Sequence, residues 1–153
     1  MKNKTAKDIM TTDVIIANRE DSIVSVAKLL IQEKIGGMPV VDENNKVVGI
    51  ISETDIMKKE KYVEAPQAIN ILQGLLFFDD FKQMEQDIKR MAAYKVEELM
   101  STEIVKVHED DKFDDVANIM IKKSINRVPV VDSTNVLKGI ICRYDIIKAM
   151  YNE

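Results

Sequence analysis

Apolar residues recur along this chain in two rhythms, and each rhythm appears twice. Ile23, Val26, Ala27 and Leu30 fall three or four apart, the spacing of one helix face. Ninety residues on, Phe113, Val116, Ala117 and Met120 repeat that spacing. The plain meaning of both stripes is core packing. A short β-type run at residues 13–17 precedes the first stripe. Asp21 or Ser22 then stands where an N-cap belongs, and the helix is expected to reach about Lys34. Next comes MPVVDENNKVVGII, residues 38–51. Two β-branched runs flank the polar residues 42–45, which predicts a hairpin. Pro39 is expected at the first position of its strand, where a missing N–H is tolerated. A second helix-like pattern follows Ser52, so the expected order is β-α-β-β-α.

The rhythms repeat because the sequence does. Shifted by 90 positions, residues 7–58 lie on residues 97–148 without a gap, and 18 of the 52 pairs are identical. Among them are Met10/Met100, Thr12/Thr102, Pro39/Pro129, Asp42/Asp132, Gly49/Gly139 and Asp55/Asp145. Two copies of one supersecondary unit follow. The boundaries read as 1–60 for the first copy, 61–95 for a middle segment and 96–153 for the second copy. The middle segment matches neither copy. Ala65-Pro66 interrupts it, residues 69–78 (INILQGLLFF) are strongly apolar, and residues 80–91 read as an amphipathic helix, with Phe81, Met84, Ile88 and Met91 on one face. That is not the Gly/Ser composition of a flexible linker. Its apolar surface calls for cover, either from the two copies or from a second chain, so a homodimer is expected.

Composition narrows the class. At 153 residues, 46% apolar and 31% charged, the chain is globular and long enough to hide roughly 70% of its unfolded surface. No apolar run approaches the ~20 residues that span a bilayer. The N-terminal MKNKTAKDIM lacks a signal-peptide core, and the single Cys142 forms no internal disulfide, so the cytoplasm is the expected compartment. A net charge of −4 argues against a broad basic face for nucleic acid. Enzyme signatures are thin. His108 sits in the polar stretch VHEDDK and reads as a surface residue, there is no His/Cys cluster for zinc, and Gly36-Gly37 is no phosphate loop.

The chemistry concentrates in GIISETDIMKK, residues 49–59, and GIICRYDIIKA, residues 139–149. Ser-x-x-Asp before an apolar run resembles a capping box, with Ser52 as cap and Asp55 reaching back to a backbone N–H. The functional alternative is specific. A carboxylate accepts two hydrogen bonds side by side, as the 2′ and 3′ hydroxyls of ribose offer them. A helix start offers N–H groups and a positive dipole end to phosphate. Ser52 or Thr54 adds a hydroxyl, and Val14 with the turn before Pro39 would supply an apolar slot for a base. In the second copy Cys142 replaces the serine, and a thiol is a weak donor.

This pattern resembles a tandem pair of CBS domains, a Bateman module. The resemblance rests on Met-Thr before the first strand, Pro-Val-Val-Asp, and Gly-Ile-Ile-x-x-x-Asp-Ile, and covers about 8–60 and 97–151. It implies an α/β (α+β) fold: a three-stranded sheet and two helices per unit, with two units packed sheet to sheet about a pseudo-twofold axis and commonly dimerising. It also implies a regulatory sensor that binds AMP, ADP, ATP or another adenosyl ligand without turnover, and that requires no cofactor. A separate protein would then be the regulated target. Carried over residue by residue, Asp55 and Asp145 would take ribose, with Ser52 and Cys142 at the phosphate or ribose edge. Thr12 to Val14 and Gly37, Met38 and Pro39 would enclose a base. Thr102, Ile104, Val128 and Pro129 are their counterparts in the second copy. Arg127 and Arg143 face Gly37 and Glu53 in the alignment, and arginine forks suit phosphate. The competing expectation is a dimerisation or partner-docking module with vestigial clefts.

Overall fold

The computed structural model of the chain describes residues 4–60 and 94–151. The apolar run at 69–78 and the helix expected at 80–91 lie outside the described residues. The elements in order are α1 (Ala6–Ile9), β1 (Ala17–Asn18), α2 (Ile23–Gln32), β2 (Gly37–Val41), β3 (Val47–Ser52), α3 (Glu53–Glu60), α4 (Val96–Leu99), β4 (Val107–His108), α5 (Phe113–Lys122), β5 (Arg127–Val131), β6 (Leu137–Cys142) and α6 (Arg143–Tyr151). The strands form two three-stranded sheets, ordered β1-β2-β3 and β4-β5-β6. In the second, β4 runs parallel to β5 and β5 antiparallel to β6. The β-α-β-β-α order expected from the sequence is present twice.

The compact units do not follow the two copies as stretches of sequence. One unit gathers Met1–Ile15, Val41–Val47 and Glu103–Glu153, and the other gathers Ile16–Val40 and Val48–Thr102. The opening segments explain this. The N–H groups of Ala6 and Lys7 donate to the carbonyls of Asp111 and Glu109, and Phe113 donates to Lys4. In the other unit Val96 and Glu97 donate to Asp21 and Arg19, and Ile23 donates to Tyr94. Each copy's opening segment therefore docks at the helix start of the other copy. Both segments carry a short helix whose third residue accepts from the N-cap N–H, Asp8 from Thr5 at 2.7 Å and Glu98 from Lys95 at 2.9 Å.

Local chemistry sets the helix limits. Ser22 is the N-cap of α2, its Oγ accepting from the Ser25 N–H at 3.1 Å, while Asp21 instead accepts from the Asn18 N–H. Lys34 and Ser124 take positive φ just after α2 and α5, and Ile35 and Ile125 donate back to Leu30 and Met120. Those bonds satisfy orphan carbonyls and stop both helices. The hairpins turn where expected. Asp42 accepts from the N–H groups of Asn44 and Lys46, and Asn45 takes φ 58°.

Two expectations are corrected. The strand expected at 13–17 shrinks to Ala17–Asn18. In the second copy the matching strand pairs with β5 only at Val130 and Val131, so residues before it have no ladder to join. Pro39 lies inside β2, not at its first position. Its counterpart Pro129 shows why this is tolerated. Pro129 pairs with Ile140, whose N–H and C=O both bond to Thr11, so no ladder bond needs the missing donor.

The same bridge explains the repeated Met and Gly. Thr11 bridges Ile140, and Ser101 bridges Ile50. A Cβ on Gly139 would come within 2.5 Å of Met10 Sδ and 2.9 Å of the Thr11 carbonyl oxygen. One on Gly49 would meet Met100 Sδ at 2.8 Å and the Ser101 carbonyl at 2.9 Å. The core of the Asp145-bearing unit closes over these contacts, with Ala6, Val107, Phe113, Val116, Val128, Ile141 and Ile146 buried and Ile9 and Met10 packed on them.

Candidate functional site

Each copy ends its last strand in a polar residue and begins its last helix at once, which fixes a carboxylate three residues into the turn. In the first copy Asp55 Oδ2 accepts from the Ser52 N–H at 2.9 Å and the Ser52 hydroxyl at 2.8 Å. The Asp55 N–H reaches Ser52 Oγ at 3.4 Å, so the capping box is made. Asp55 Oδ1 accepts from the Ser101 hydroxyl at 3.1 Å. In the second copy Asp145 Oδ2 accepts from the Cys142 N–H at 2.7 Å. Among the described residues Asp145 accepts no other hydrogen bond. Capping is therefore the resting task of both carboxylates, and it leaves Asp145 with an oxygen to spare.

The helix starts differ too. The Glu53 N–H donates to the Gly36 carbonyl and the Arg143 N–H to Asn126, so the first donor of each helix is used. Among the described residues, Thr54 alone of residues 53–55 keeps its N–H unpaired, whereas Tyr144 and Asp145 both keep theirs.

Arg127, Cys142 and Asp145 come together. Arg127 lies opposite Cys142 across the β5–β6 ladder, and Asp145, three residues after Cys142, accepts its N–H. Burial raises the thiol pKa of Cys142 above its ordinary value. The Asp145 carboxylate adds to the rise and the Arg127 charge opposes it, so a protonated thiol persists at neutral pH. Arg143 is placed differently: its Nε donates to the Ile125 carbonyl at 3.2 Å, beside the end of α5. Thr12, Thr54 and Thr102 are exposed. Thr12 and Val14 belong to the unit that holds Asp145, whereas Gly37, Met38, Pro39, Thr102 and Asp55 belong to the other. The pairing of Thr12 to Val14 with Gly37 to Pro39 around one base thus combines residues of different units. Val14 and Ile104 pack on Val41, Val47, Val131 and Leu137. Met38 and Val128 are wholly buried, so only their main chain is available to a cleft.

One site neighbour was missed in the sequence. Ser101 touches Asp55, and its only sequence signal was its alignment with Thr11 beside the repeated Thr102. A cavity of about 420 Å³ between α2 and α3, lined by Leu30, Ile31, Ile35, Ile56 and Met57 among others, contains neither carboxylate. Its lining is mostly apolar, with Lys34 and Glu53 as its charged residues, and it includes neither of the repeated carboxylates, so the candidate site stays with Asp55 and Asp145. Among the described residues no helix is long and apolar enough to cross a membrane.

The CBS domain model matches the chain twice, over residues 6–62 and 96–152. The chain belongs to the CBS-domain family. As a CBS pair it is 31% identical over 151 residues to the uncharacterized protein MJ1426 of Methanocaldococcus jannaschii, covering 94% of this chain and 89% of that protein. Three further relatives from that organism are longer, and the pair spans 47%, 22% and 32% of their lengths. Its fold matches the CBS domain pair of protein MJ0100, solved with 5′-methylthioadenosine and S-adenosyl-L-methionine. That match has a TM-score of 0.71 and 30% identity, and covers 97% of this chain and 96% of that one. It also matches CBSX2, solved with AMP, with a TM-score of 0.74 and 23% identity over 97% and 96% of the two chains. The latter likeness speaks to fold alone.

Proposed function

We propose that this CBS pair is a cytoplasmic regulatory module that binds an adenosine-containing ligand without turning it over, with Asp55 and Asp145 accepting ribose hydroxyls. The observation that carries the reading is the open side of Asp145. The carboxylate is half-buried, held by one backbone N–H, and stands at the start of a helix just after Cys142, whose cross-strand partner is Arg127. A diol acceptor beside phosphate donors is what a nucleotide needs. The likeness to the MJ0100 pair, whose ligands are both adenosyl compounds, supports the same ligand class. The test is a calorimetric titration with AMP, ADP, ATP and S-adenosylmethionine. Saturable binding of at least one is expected, and no heat or thermal shift with any at millimolar ligand would defeat the reading.

Arg127 and Arg143 give this reading an internal check. ATP should bind more tightly than adenosine, and the preference should shrink in high salt as exposed charges are screened. The double change Arg127→Ala with Arg143→Ala should cost ATP roughly tenfold in affinity and adenosine little. Equal losses for both ligands, measured by titration, would mean the arginines support the fold.

A second reading, self-association, is favoured by one surface. Tyr144, Ile147 and Tyr151 lie three and four apart on α6, and Tyr144 and Tyr151 are 72% and 79% exposed. Such a face suits a homodimer. Light scattering should give twice the 17.4 kDa chain mass. Tyr144→Glu with Ile147→Glu should restore the monomer without loss of helix.

A further inference from the structure

We propose that Ser101 is a built-in competitor for the Asp55 carboxylate, so that the two copies keep their diol acceptors in different states, occupied at Asp55 and open at Asp145. The proposal rests on the ribose reading above and adds a regulation to that site.

The backbones around the two carboxylates are alike. Ser101 and Ile50 exchange N–H···O bonds at 2.9 and 3.0 Å, and Thr11 and Ile140 exchange theirs at 2.9 Å both ways. Ser101 and Thr11 are therefore pinned at matching places beside β3 and β6. The side chains differ. The Ser101 hydroxyl donates to Asp55 Oδ1 at 3.1 Å, and Ser52 fills Oδ2 with both its N–H and its hydroxyl. Among the described residues the Thr11 hydroxyl makes no hydrogen bond, and Cys142 brings only its N–H to Asp145. Asp55 thus accepts three hydrogen bonds of the roughly four a carboxylate can take, too few left for a diol, whereas among the described residues Asp145 accepts one and keeps room for two more. A vicinal diol approaches both oxygens of a carboxylate at once. At Asp55 it must displace the Ser101 hydroxyl, and because the backbone is held, a turn of that side chain is the whole opening motion. At Asp145 there is nothing to displace. The consequence is ordered loading, with the Asp145 copy filling first and the Asp55 copy responding only at higher ligand concentration.

The test isolates the Asp55 site with Asp145→Asn, which keeps a capping acceptor while removing the charge that favours a diol. Adenosine and 2′-deoxyadenosine are titrated into this background with Ser101, Ser101→Ala and Ser101→Thr. Ser101→Ala should tighten adenosine binding by about two- to tenfold, the scale of one net hydrogen bond. It should change 2′-deoxyadenosine much less, and Ser101→Thr, which restores a hydroxyl, should return the affinity toward that of Ser101. A merely structural role for Ser101 would move both nucleosides together. If the wild-type chain binds adenosine but Ser101→Ala leaves Asp55-site affinity unchanged, weaker or absent, the proposal falls alone. If neither the wild-type chain nor any variant binds adenosine, the ribose reading falls and takes the proposal with it.

Discussion

Asp145→Ala should weaken adenosine binding on the order of tenfold to a hundredfold, because a charged acceptor bonded to ribose hydroxyls is worth roughly 1.5–3 kcal/mol. It should also lower the melting temperature, since the same carboxylate accepts the Cys142 N–H at the start of α6. Loss of such a cap costs about 1 kcal/mol, or roughly 2–4 °C in a chain of this size. Asp145→Asn separates the two tasks. An amide oxygen still accepts the Cys142 N–H, so most of the thermal stability should survive, but without the charge most of the affinity should go. A melt and a titration on both variants check this. If affinity in Asp145→Asn stays at the wild-type level, the carboxylate serves the helix and not a ligand.

Gly139→Ala should be the most damaging small substitution in the Asp145-bearing unit. Its methyl group would stand 2.5 Å from Met10 Sδ and 2.9 Å from the Thr11 carbonyl oxygen. The sulfur is the end of a flexible side chain and can shift. The carbonyl cannot shift cheaply, because Thr11 is held by two hydrogen bonds to Ile140. Overpacking of this kind costs about 1–3 kcal/mol. Thermal unfolding should therefore occur several degrees lower, and Met10→Ala in the same chain should recover only part of the loss. Full recovery would place the whole strain on the sulfur and would contradict the close backbone approach.

These particulars mark where the sequence was readable. Helix stripes, the Asp42 turn, the Ser22 cap and the carboxylates of Asp55 and Asp145 are local patterns. Period and spacing display them, and the structure shows the stripes on helices, the turn and cap made, and both carboxylates bonded at their helix starts. Pro39 and the strand at 13–17 were misjudged because strand limits depend on what lies alongside, and the bridge from Thr11 to Ile140 spans more than a hundred residues. Ser101 escaped notice for the same reason, since its nearness to Asp55 arises only when one copy's opening segment docks on the other copy. A hint was present. Gly49 and Gly139 sit inside strands and Met10 and Met100 recur with them, and a glycine within a strand often marks a close backbone approach.

That exchange of opening segments has a consequence during synthesis. Residues 4–11 are made about a hundred or more residues before Phe113, Ile140 and Ile146, against which they pack or bond. At about 5–20 residues per second the wait is on the order of ten seconds. Over that interval Ile9 and Met10 lack their native cover, and the nascent chain presents these apolar side chains to whatever waits outside the exit tunnel.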